Sequence, residues 1–332
     1  MAKQFGMDAI NRLRAVFDPA RYHGWGRTRR YFEGWYFKVV DAPEKSAYAF
    51  IPGIAMNGHG ERHAFVQVLD GKRLTAEYHT FRAEAFRPAP GKFDLTLGDN
   101  RFTEEFIRLA LPGIRGELRF RGNVPWPVRW YSPGIMGPYA FVPRMECYHG
   151  ILSMDHALQG LLQINGQRAD FTGGRGYIEK DWGHSFPSAY FWMQSNHFGR
   201  EGISFKASVA RIPWMGSSFT GLIAGVWFDG ELHRFTTYNG SVLRRSIADL
   251  EKVELVMENR GFRLEVRAHR HEATALAAPL SGFMDGRISE SMTSTIDLIL
   301  TDKKQNRILL QDSGRHAALE VAGEIGQITI LG

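Results

Sequence analysis

The chain has 332 residues and a formal net charge of +6; apolar residues make up 44% of it and charged residues 23%. This balance is that of a globular protein and excludes a disordered or fibrous one. The single cysteine, Cys147, excludes an intramolecular disulfide, and no segment has the ~20 uncharged apolar residues of a membrane span.

Residues 1–30 are predicted to form an N-terminal arm. Apolar residues recur at helical spacing from Met7 to Phe17, and arginines cluster here at Arg12, Arg14, Arg21 and residues 27–30. A solvated arm is the simplest interpretation; transient contact with an anionic membrane surface is the alternative. The charge is otherwise spread along the chain, so nucleic acid is not an expected partner. The first ten residues lack a signal peptide's apolar stretch, which favours the cytoplasm.

After the arm, the pattern predicts strands in two series separated by a proline-rich stretch, residues 125–143. Asp70-Gly71 and Asp229-Gly230 are typical of hairpin turns. The predicted strands are Tyr31–Val40, Ala47–Ile54, His63–Leu69, Leu74–Phe81, Phe93–Leu97, Phe102–Leu109 and Gly116–Phe120, then Tyr190–His197, Ile203–Arg211, Gly221–Phe228, Leu232–Thr237, Lys252–Met257, Phe262–Ala268, Ile288–Leu300, Arg307–Leu310 and Ala317–Val321.

Many short antiparallel strands suggest two closed sheets in tandem, because closure removes exposed strand edges. The prediction is an all-β chain with two β-barrels, at residues 31–165 and 166–332. The high aromatic content, 13%, suits pockets for apolar ligands, although it also suits an aromatic core.

The first segment with chemical potential is residues 31–38. On a strand, Glu33 shares one face with Trp35 and Phe37, while Tyr36 shares the other face with Lys38. A carboxyl desolvated among rings has a raised pKa and can act as an acid. The alternative is that Glu33 pairs with a lysine or arginine inside the barrel.

The second segment is residues 177–198. Glu179 and Asp181 alternate onto one face and His184 follows, so the three could form a proton relay. A structural role for the carboxyls in the turn is the alternative. The next strand points Tyr190, Trp192, Gln194 and Asn196 one way, which is typical of a pocket that orients an apolar ligand.

A third segment, residues 145–156, adds Glu146 and His149 as acid, base or substrate contacts, although polar contacts in domain packing would also explain them. His269 and His271 are flanked by arginines that repel a cation, so no metal site is expected. There is no phosphate loop or dinucleotide fingerprint, and no cofactor is expected.

The motifs FEGWYFK at residues 32–38 and EKDWGHSFP at residues 179–187 resemble two motifs of the tocopherol cyclase family, and residues 191–196 are similar to its FWxQxN strand. The resemblance implies two lipocalin-like barrels, shared distantly with carotenoid hydratases, and acid-catalysed addition across a prenyl double bond without a cofactor. It implies Asp181 as proton donor, with Glu179 and His184 setting its protonation and Glu33 as a second candidate acid.

The same resemblance implies a substrate that is a prenylated quinol or another isoprenoid. The residues expected to contact it are Trp35, Tyr36, Trp182, Tyr190, Trp192, Gln194, Asn196, Glu146 and His149. The alternative function is a non-catalytic carrier that binds an apolar molecule in the same barrel and needs no acid there.

Overall fold

The computed structural model describes residues 2–332, with side chains described from residue 6 onward. In this part of the chain the structure is almost entirely β, which confirms the predicted class: one helix, α1 at Ala2–Val16, precedes twenty-four strands. The helix ends at Val16, shortly before Pro19. The proline ring disfavours helical geometry in the preceding residue, Asp18, so the helix cannot continue through it. None of the described helices has the length and apolar composition to cross a membrane.

The chain divides into two compact units, Met1–Phe186 with Ala277–Arg287, and Pro187–Leu276 with Ile288–Gly332. The strands of the first sheet and its hairpin are β1 Tyr31–Val40, β2 Ala47–Met56, β3 Arg62–Asp70, β4 Thr75–Arg82, β5 Phe86–Pro88, β6 Asp94–Leu97, β7 Asn100–Thr103, β8 Phe106–Leu111, β9 Ile114–Arg121, β10 Val128–Arg129, β11 Ser132–Pro133, β12 Cys147–Ile164, β13 Gln167–Asp170 and β14 Arg175–Gly183. Two 3-10 helices accompany them, Ala83–Ala85 and Gly137–Phe141.

The first sheet has the order β4-β3-β2-β1-β14-β12-β9-β8-β7-β6-β5, with β13 beside β12 and with β10 and β11 as a separate hairpin. Among the described residues this hydrogen-bonded order runs from β4 to β5 and forms a large antiparallel sheet. Its closure into a barrel stays a prediction. Side chains alternate along each strand, and one face carries the core. Aromatic rings fill that core, with Phe37 packed near Phe93, Phe102 and Phe120.

The second sheet contains β15 Ala189–Ser195, β16 Ser204–Trp214, β17 Ser217–Phe228, β18 Glu231–Thr236, β19 Val242–Ala248, β20 Lys252–Glu258, β21 Phe262–His269, β22 Thr274–Leu280, β23 Phe283–Asp302 and β24 Arg307–Gly323. Its order is β18-β17-β16-β15-β24-β23-β21-β20-β19, with β22 paired to β23. Phe191, Met193 and Phe205 point from β15 and β16 into its core. The 3-10 helices Thr237–Asn239 and Ile325–Ile328 complete the chain.

The division between the units lies after Phe186 rather than near residue 165. The reason is β14, which lies beyond the expected boundary yet pairs with β1 on one side and β12 on the other. The apolar pattern does not predict β12, because Gly150, Ser153 and Asp155 interrupt the alternation that marks a strand. These two long central strands hold the candidate site.

Candidate active site

The motif FEGWYFK lies on β1 and the motif EKDWGHSFP begins on β14, and these two strands are neighbours in the first sheet. β1 and β14 pair antiparallel, so that Glu33 lies opposite Trp182, Trp35 opposite Lys180, and Tyr36 opposite Glu179. Directly opposed side chains share a face of the sheet. Glu33, Trp35, Lys180 and Trp182 point toward the core. Tyr36, Glu179 and Asp181 point to the opposite face. The motifs therefore supply two separate clusters, one on each side of the sheet.

On the core face, Glu33 forms a buried ion pair with Lys180. The Lys180 Nζ lies 2.5 Å from Glu33 Oε1, and both side chains are completely buried. Backbone N–H groups of His23 and Gly24 donate to the carboxylate at 2.9–3.0 Å, and the Tyr31 hydroxyl donates to it as well. The alternative interpretation of Glu33, a carboxylate paired with a basic residue, is therefore the arrangement that the structure has.

The electrostatics of this pair favour the charged form of Glu33. Burial raises the pKa of Glu33, but the charge of Lys180 and the hydrogen bonding of His23 outweigh burial and leave the pKa below its ordinary value. Burial lowers the pKa of Lys180 to about 8, and the charge of Glu33 limits that fall. An ionised carboxylate that already accepts several hydrogen bonds has no proton to donate, so Glu33 does not fit the acid role.

Lys180 also holds the segment that follows α1. Its ammonium donates to the carbonyl oxygens of Pro19, at 3.1 Å, and of Arg21. It lies 4.6 Å from the ring centre of Trp35 and 4.8 Å from that of Trp182. Both distances are within the range of cation–π attraction.

Each indole has a further partner on the core face. Trp35 donates from Nε1 to the Ala20 carbonyl oxygen at 3.0 Å and stacks on Phe93, and Trp182 stacks on His23 at 4.0 Å. The two tryptophans predicted to line a substrate pocket thus pack around a lysine and the arm.

On the opposite face, four side chains form a linked network. The Tyr177 hydroxyl donates to Glu179 Oε2 at 2.5 Å, and His149 Nε2 lies 3.4 Å from that oxygen. His149 Nδ1 lies 2.7 Å from Asp181 Oδ1. Glu179 is almost fully buried, whereas 25% of the Asp181 side chain is exposed. The imidazole therefore connects an inner carboxyl to an outer one.

Burial keeps the Tyr177 hydroxyl and the nearby Cys147 thiol neutral. Burial, followed by the charge of Glu179, raises the pKa of Tyr177 well above its ordinary value, so its hydroxyl remains a donor. Burial and the charge of Asp181 likewise raise the pKa of Cys147, whose Sγ lies 3.7 Å from Asp181 Oδ1. Such an arrangement can move a proton between the two carboxyls through the imidazole. One ligand atom each from His149, Glu179 and Asp181 also lie within 4.8 Å of one another, which is the spacing of a divalent-cation site.

His184 and Glu146 lie beside each other, and neither makes a described hydrogen bond to Glu179 or Asp181. The Glu146 carbonyl oxygen accepts from the His184 N–H at 2.8 Å. Burial raises the pKa of the Glu146 carboxyl, and the charge of His184 offsets part of that rise. His149, which was predicted as a substrate contact, takes the position between the acids that the sequence assigned to His184.

The predicted ligand-orienting strand belongs to the second unit, on the face of β15 opposite its core. The Tyr190 hydroxyl donates to Glu320 at 2.7 Å, and Gln194 is completely buried and lies opposite Lys206 on β16. Trp192 lies on the same face, and Asn196 follows the strand and is also buried. Their contact with a substrate stays a prediction.

A family model described as tocopherol cyclase-like matches residues 126–323. The chain belongs to the tocopherol cyclase-like family. The match includes the network residues and the EKDWGHSFP motif, whereas FEGWYFK lies before it; the pairing of β1 with β14 places that first motif beside the matched one.

Similar proteins of this family occur in plants. The chain is 24% identical to a probable chloroplastic tocopherol cyclase of Oryza sativa subsp. japonica, over 94% of this chain and 80% of that one. It is 25% identical to the chloroplastic tocopherol cyclase of Zea mays, over 91% and 77%. These relationships support an enzyme of the cyclase kind.

Solved structures similar to this family member share its fold. CghA in complex with Sch210972 has a TM-score of 0.54 at 12% identity and covers 89% of each chain. A putative AttH from Nitrosomonas europaea has a TM-score of 0.52 at 15% identity, covering 88% of this chain and 92% of that one. At these identities only the architecture is shared.

Three residues of this tocopherol cyclase-like protein escape the sequence-based prediction of its site. Tyr177 could have been found, because it lies two residues before Glu179 and so shares its face of a strand. Lys206 and Glu320 lie beside Gln194 and Trp192 only through pairing with distant strands. A single sequence carries no signal for that register.

Proposed function

We propose that this protein is an acid-catalysed cyclase that adds the phenol oxygen of a prenylated quinol across its prenyl double bond. A hydratase that adds water to another isoprenoid would use the same acid step. The observation that carries the proposal is His149, which lies between the carboxyls of Glu179 and Asp181 in a mostly buried network. Family membership supports the reaction class.

Asp181 is the proposed proton donor. Its side chain is 25% exposed, and Glu179 lies behind it, nearly buried, with Tyr177. The proposed proton passes along the hydrogen bond between His149 Nδ1 and Asp181 Oδ1, whose atoms lie 2.7 Å apart. An apolar substrate laid over Asp181 removes water and favours the neutral carboxyl, so the proton moves to Asp181 when the substrate binds.

The proposed steps conserve atoms and electrons. Asp181 protonates the less substituted alkene carbon, which leaves a tertiary cation. The phenol oxygen bonds to this cation, and its proton returns to Asp181 directly or through His149. Glu179 stabilises the imidazolium whenever His149 carries the proton. Since the phenol O–H and the alkene belong to one molecule and nothing is oxidised or reduced, product and substrate have the same mass.

The test is incubation with a prenylated hydroquinone dispersed in detergent. We expect a chromanol of unchanged mass with shifted retention and, in deuterated water, a single deuterium on the former alkene carbon. Asp181→Asn should lose about 10²–10⁴-fold in rate. Asp99→Asn, at an exposed aspartate on the same unit, is the matched control and should keep the wild-type rate.

Two other outcomes would overturn this assignment. A wild-type protein that binds the quinol without converting it, with equal binding in Asp181→Asn, would be a carrier. Activity that disappears with a chelator and returns with a divalent cation would make His149, Glu179 and Asp181 metal ligands instead of a proton relay.

A further inference from the structure

Helix α1 turns its apolar side toward solvent. Met7, Ile10, Leu13 and Phe17 follow one another at helical spacing and all are exposed, with Leu13 at 64%. The packed side of the helix contains Ala15, which is completely buried. A surface helix of a globular protein normally buries its apolar stripe. Here the orientation is reversed, so the stripe has no cover within the described part of the first unit.

Exposed aromatic residues continue this stripe. Phe17 contacts Phe141 at the end of the 3-10 helix Gly137–Phe141, with ring centres 5.8 Å apart. This 3-10 helix packs against β11 of the β10–β11 hairpin. Between its strands the hairpin carries Trp130, which is 79% exposed, and Tyr131. We call the whole set, namely Met7, Ile10, Leu13, Phe17, Val128, Trp130, Tyr131 and Phe141, the N-terminal apolar surface.

The N-terminal arm that carries α1 has a net positive charge. Residues 1–30 contain seven basic and two acidic residues, a surplus of five positive charges in a chain with a net charge of +6. Arg14 lies four residues after Ile10 and so shares the exposed side of α1, and Arg12 is exposed beside Leu13.

The arm contains two acids, Asp8 and Asp18. Asp8 lies on the Ala15 side of the helix, seven residues before it, and close to Gly26. Asp18 pairs with Arg21 at 2.6 Å. Because two acids accompany seven basic residues, the arm keeps a surplus of positive charge.

We propose that the N-terminal apolar surface docks onto an anionic lipid bilayer, with α1 lying along the interface. An apolar helix face flanked by arginines, with tryptophan and tyrosine beside it, matches the chemistry of a membrane–water interface. A bilayer accepts the apolar side chains and its anionic headgroups neutralise Arg12 and Arg14. A protein partner would need matching acids, and a second copy of this chain would bring two positive arms together.

Flotation of the full chain with phospholipid vesicles tests this proposal. We expect binding to phosphatidylcholine vesicles enriched in phosphatidylglycerol, weaker binding to phosphatidylcholine alone, and loss of binding at high salt. Ile10→Glu/Leu13→Glu should reduce binding at least about tenfold. Leu250→Glu is the matched control, since Leu250 is 92% exposed and lies in the second unit.

Circular dichroism should show equal folding of these variants, because the substituted side chains are exposed. Absence of flotation, or equal flotation of Ile10→Glu/Leu13→Glu and wild type, would overturn the proposal. A concentration-dependent dimer that Leu13→Glu abolishes would assign the surface to a second copy instead. Detergent-dispersed quinol needs no bilayer, so failure here leaves the proposed reaction untouched.

Discussion

The Nζ atom of Lys180 lies 2.5 Å from Oε1 of Glu33 on the neighbouring strand, and neither side chain is exposed to solvent. Each belongs to one of the two motifs that mark the family resemblance. Their charges bind one another and the backbone of residues 19–24. The most recognisable charged residues of the sequence therefore stabilise the fold.

Removing either charge should destabilise the protein. We expect Glu33→Gln and Lys180→Met each to lower the free energy of unfolding by about 3–5 kcal/mol, because the remaining charge stays buried without its partner. The Glu33→Gln/Lys180→Met double variant should lose less than the sum of the two. Urea denaturation of the four proteins measures this coupling.

The exposed pair Arg200–Asp229 provides the control for that cycle. Its atoms are 2.8 Å apart, but both side chains are more than half exposed. Arg200→Met should therefore leave the unfolding midpoint close to that of wild type. Strictly additive losses in the Glu33 and Lys180 cycle would contradict a coupled pair.

Acid should destabilise the protein through His23. Burial, and then the charge of Lys180, lowers the pKa of His23 to about 4. The unfolded chain, with a histidine pKa of about 6.5, binds a proton that the folded chain rejects. The stability that His23 contributes is therefore fully present above pH 6.5 and is lost between about pH 6.5 and 4, by up to about 3 kcal/mol.

Melting temperature measured across this pH range checks the prediction. His23→Gln should flatten the slope, although not abolish it, because burial also lowers the pKa of His156, to about 3. Glu33, whose folded pKa is depressed, adds a further loss below pH 4.5. His59→Gln, at an exposed histidine, should leave the wild-type slope. A His23→Gln slope equal to wild type would refute the role of His23.

The thiol of Cys147 should report the charge of Asp181. Cys147 is the only cysteine, and burial and Asp181 raise its pKa, so it should react slowly with a disulfide reagent at pH 8. Asp181→Asn should speed the reaction about tenfold, since a neighbouring like charge shifts a pKa by about one unit or more. Asp99→Asn is the control. An unchanged rate in Asp181→Asn would mean that the carboxyl is neutral in the free protein.

Gly183, at the end of β14, should not tolerate a side chain. Its φ is +155°, and a Cβ would lie 2.1 Å from the Glu146 carbonyl oxygen. That oxygen accepts from the His184 N–H and cannot easily shift. Gly183→Ala should cost about 1–3 kcal/mol of unfolding free energy. Gly91→Ala, where nothing lies within 4 Å, should be neutral or slightly stabilising, and equal unfolding midpoints for the two would contradict the clash.

Much of the fold could be predicted from local pattern. Period-two alternation predicts β1, β2 and β3 closely, and it predicts that Glu33 belongs to a strand. The acids Glu179 and Asp181 share a face as expected, because residues two apart on a strand must do so. The placement of His149 beside them depends on the pairing of β12 with β14, which joins residues thirty-two apart in the chain.

The remaining differences have a common physical origin. A strand has two faces, and alternation does not say which of them packs in the core. Trp35, Trp182 and Glu33 look like pocket residues because rings flank a carboxyl. The structure instead turns this face toward the core, where the residues enclose Lys180. The choice of face is a property of the whole sheet and not of the segment.

One face of β14 carries Lys180 and Trp182, which hold the arm, and the other face carries the acids of the proposed reaction, Glu179 and Asp181. A relative without the proposed reaction would not need Glu179 and Asp181 for chemistry, yet it would still need Lys180 and Trp182 to keep the arm in place. A sequence motif built on the lysine and the tryptophan should therefore match catalytic and non-catalytic relatives alike. Assigning an enzyme among newly sequenced relatives should therefore depend on the two acids and on the imidazole that joins them.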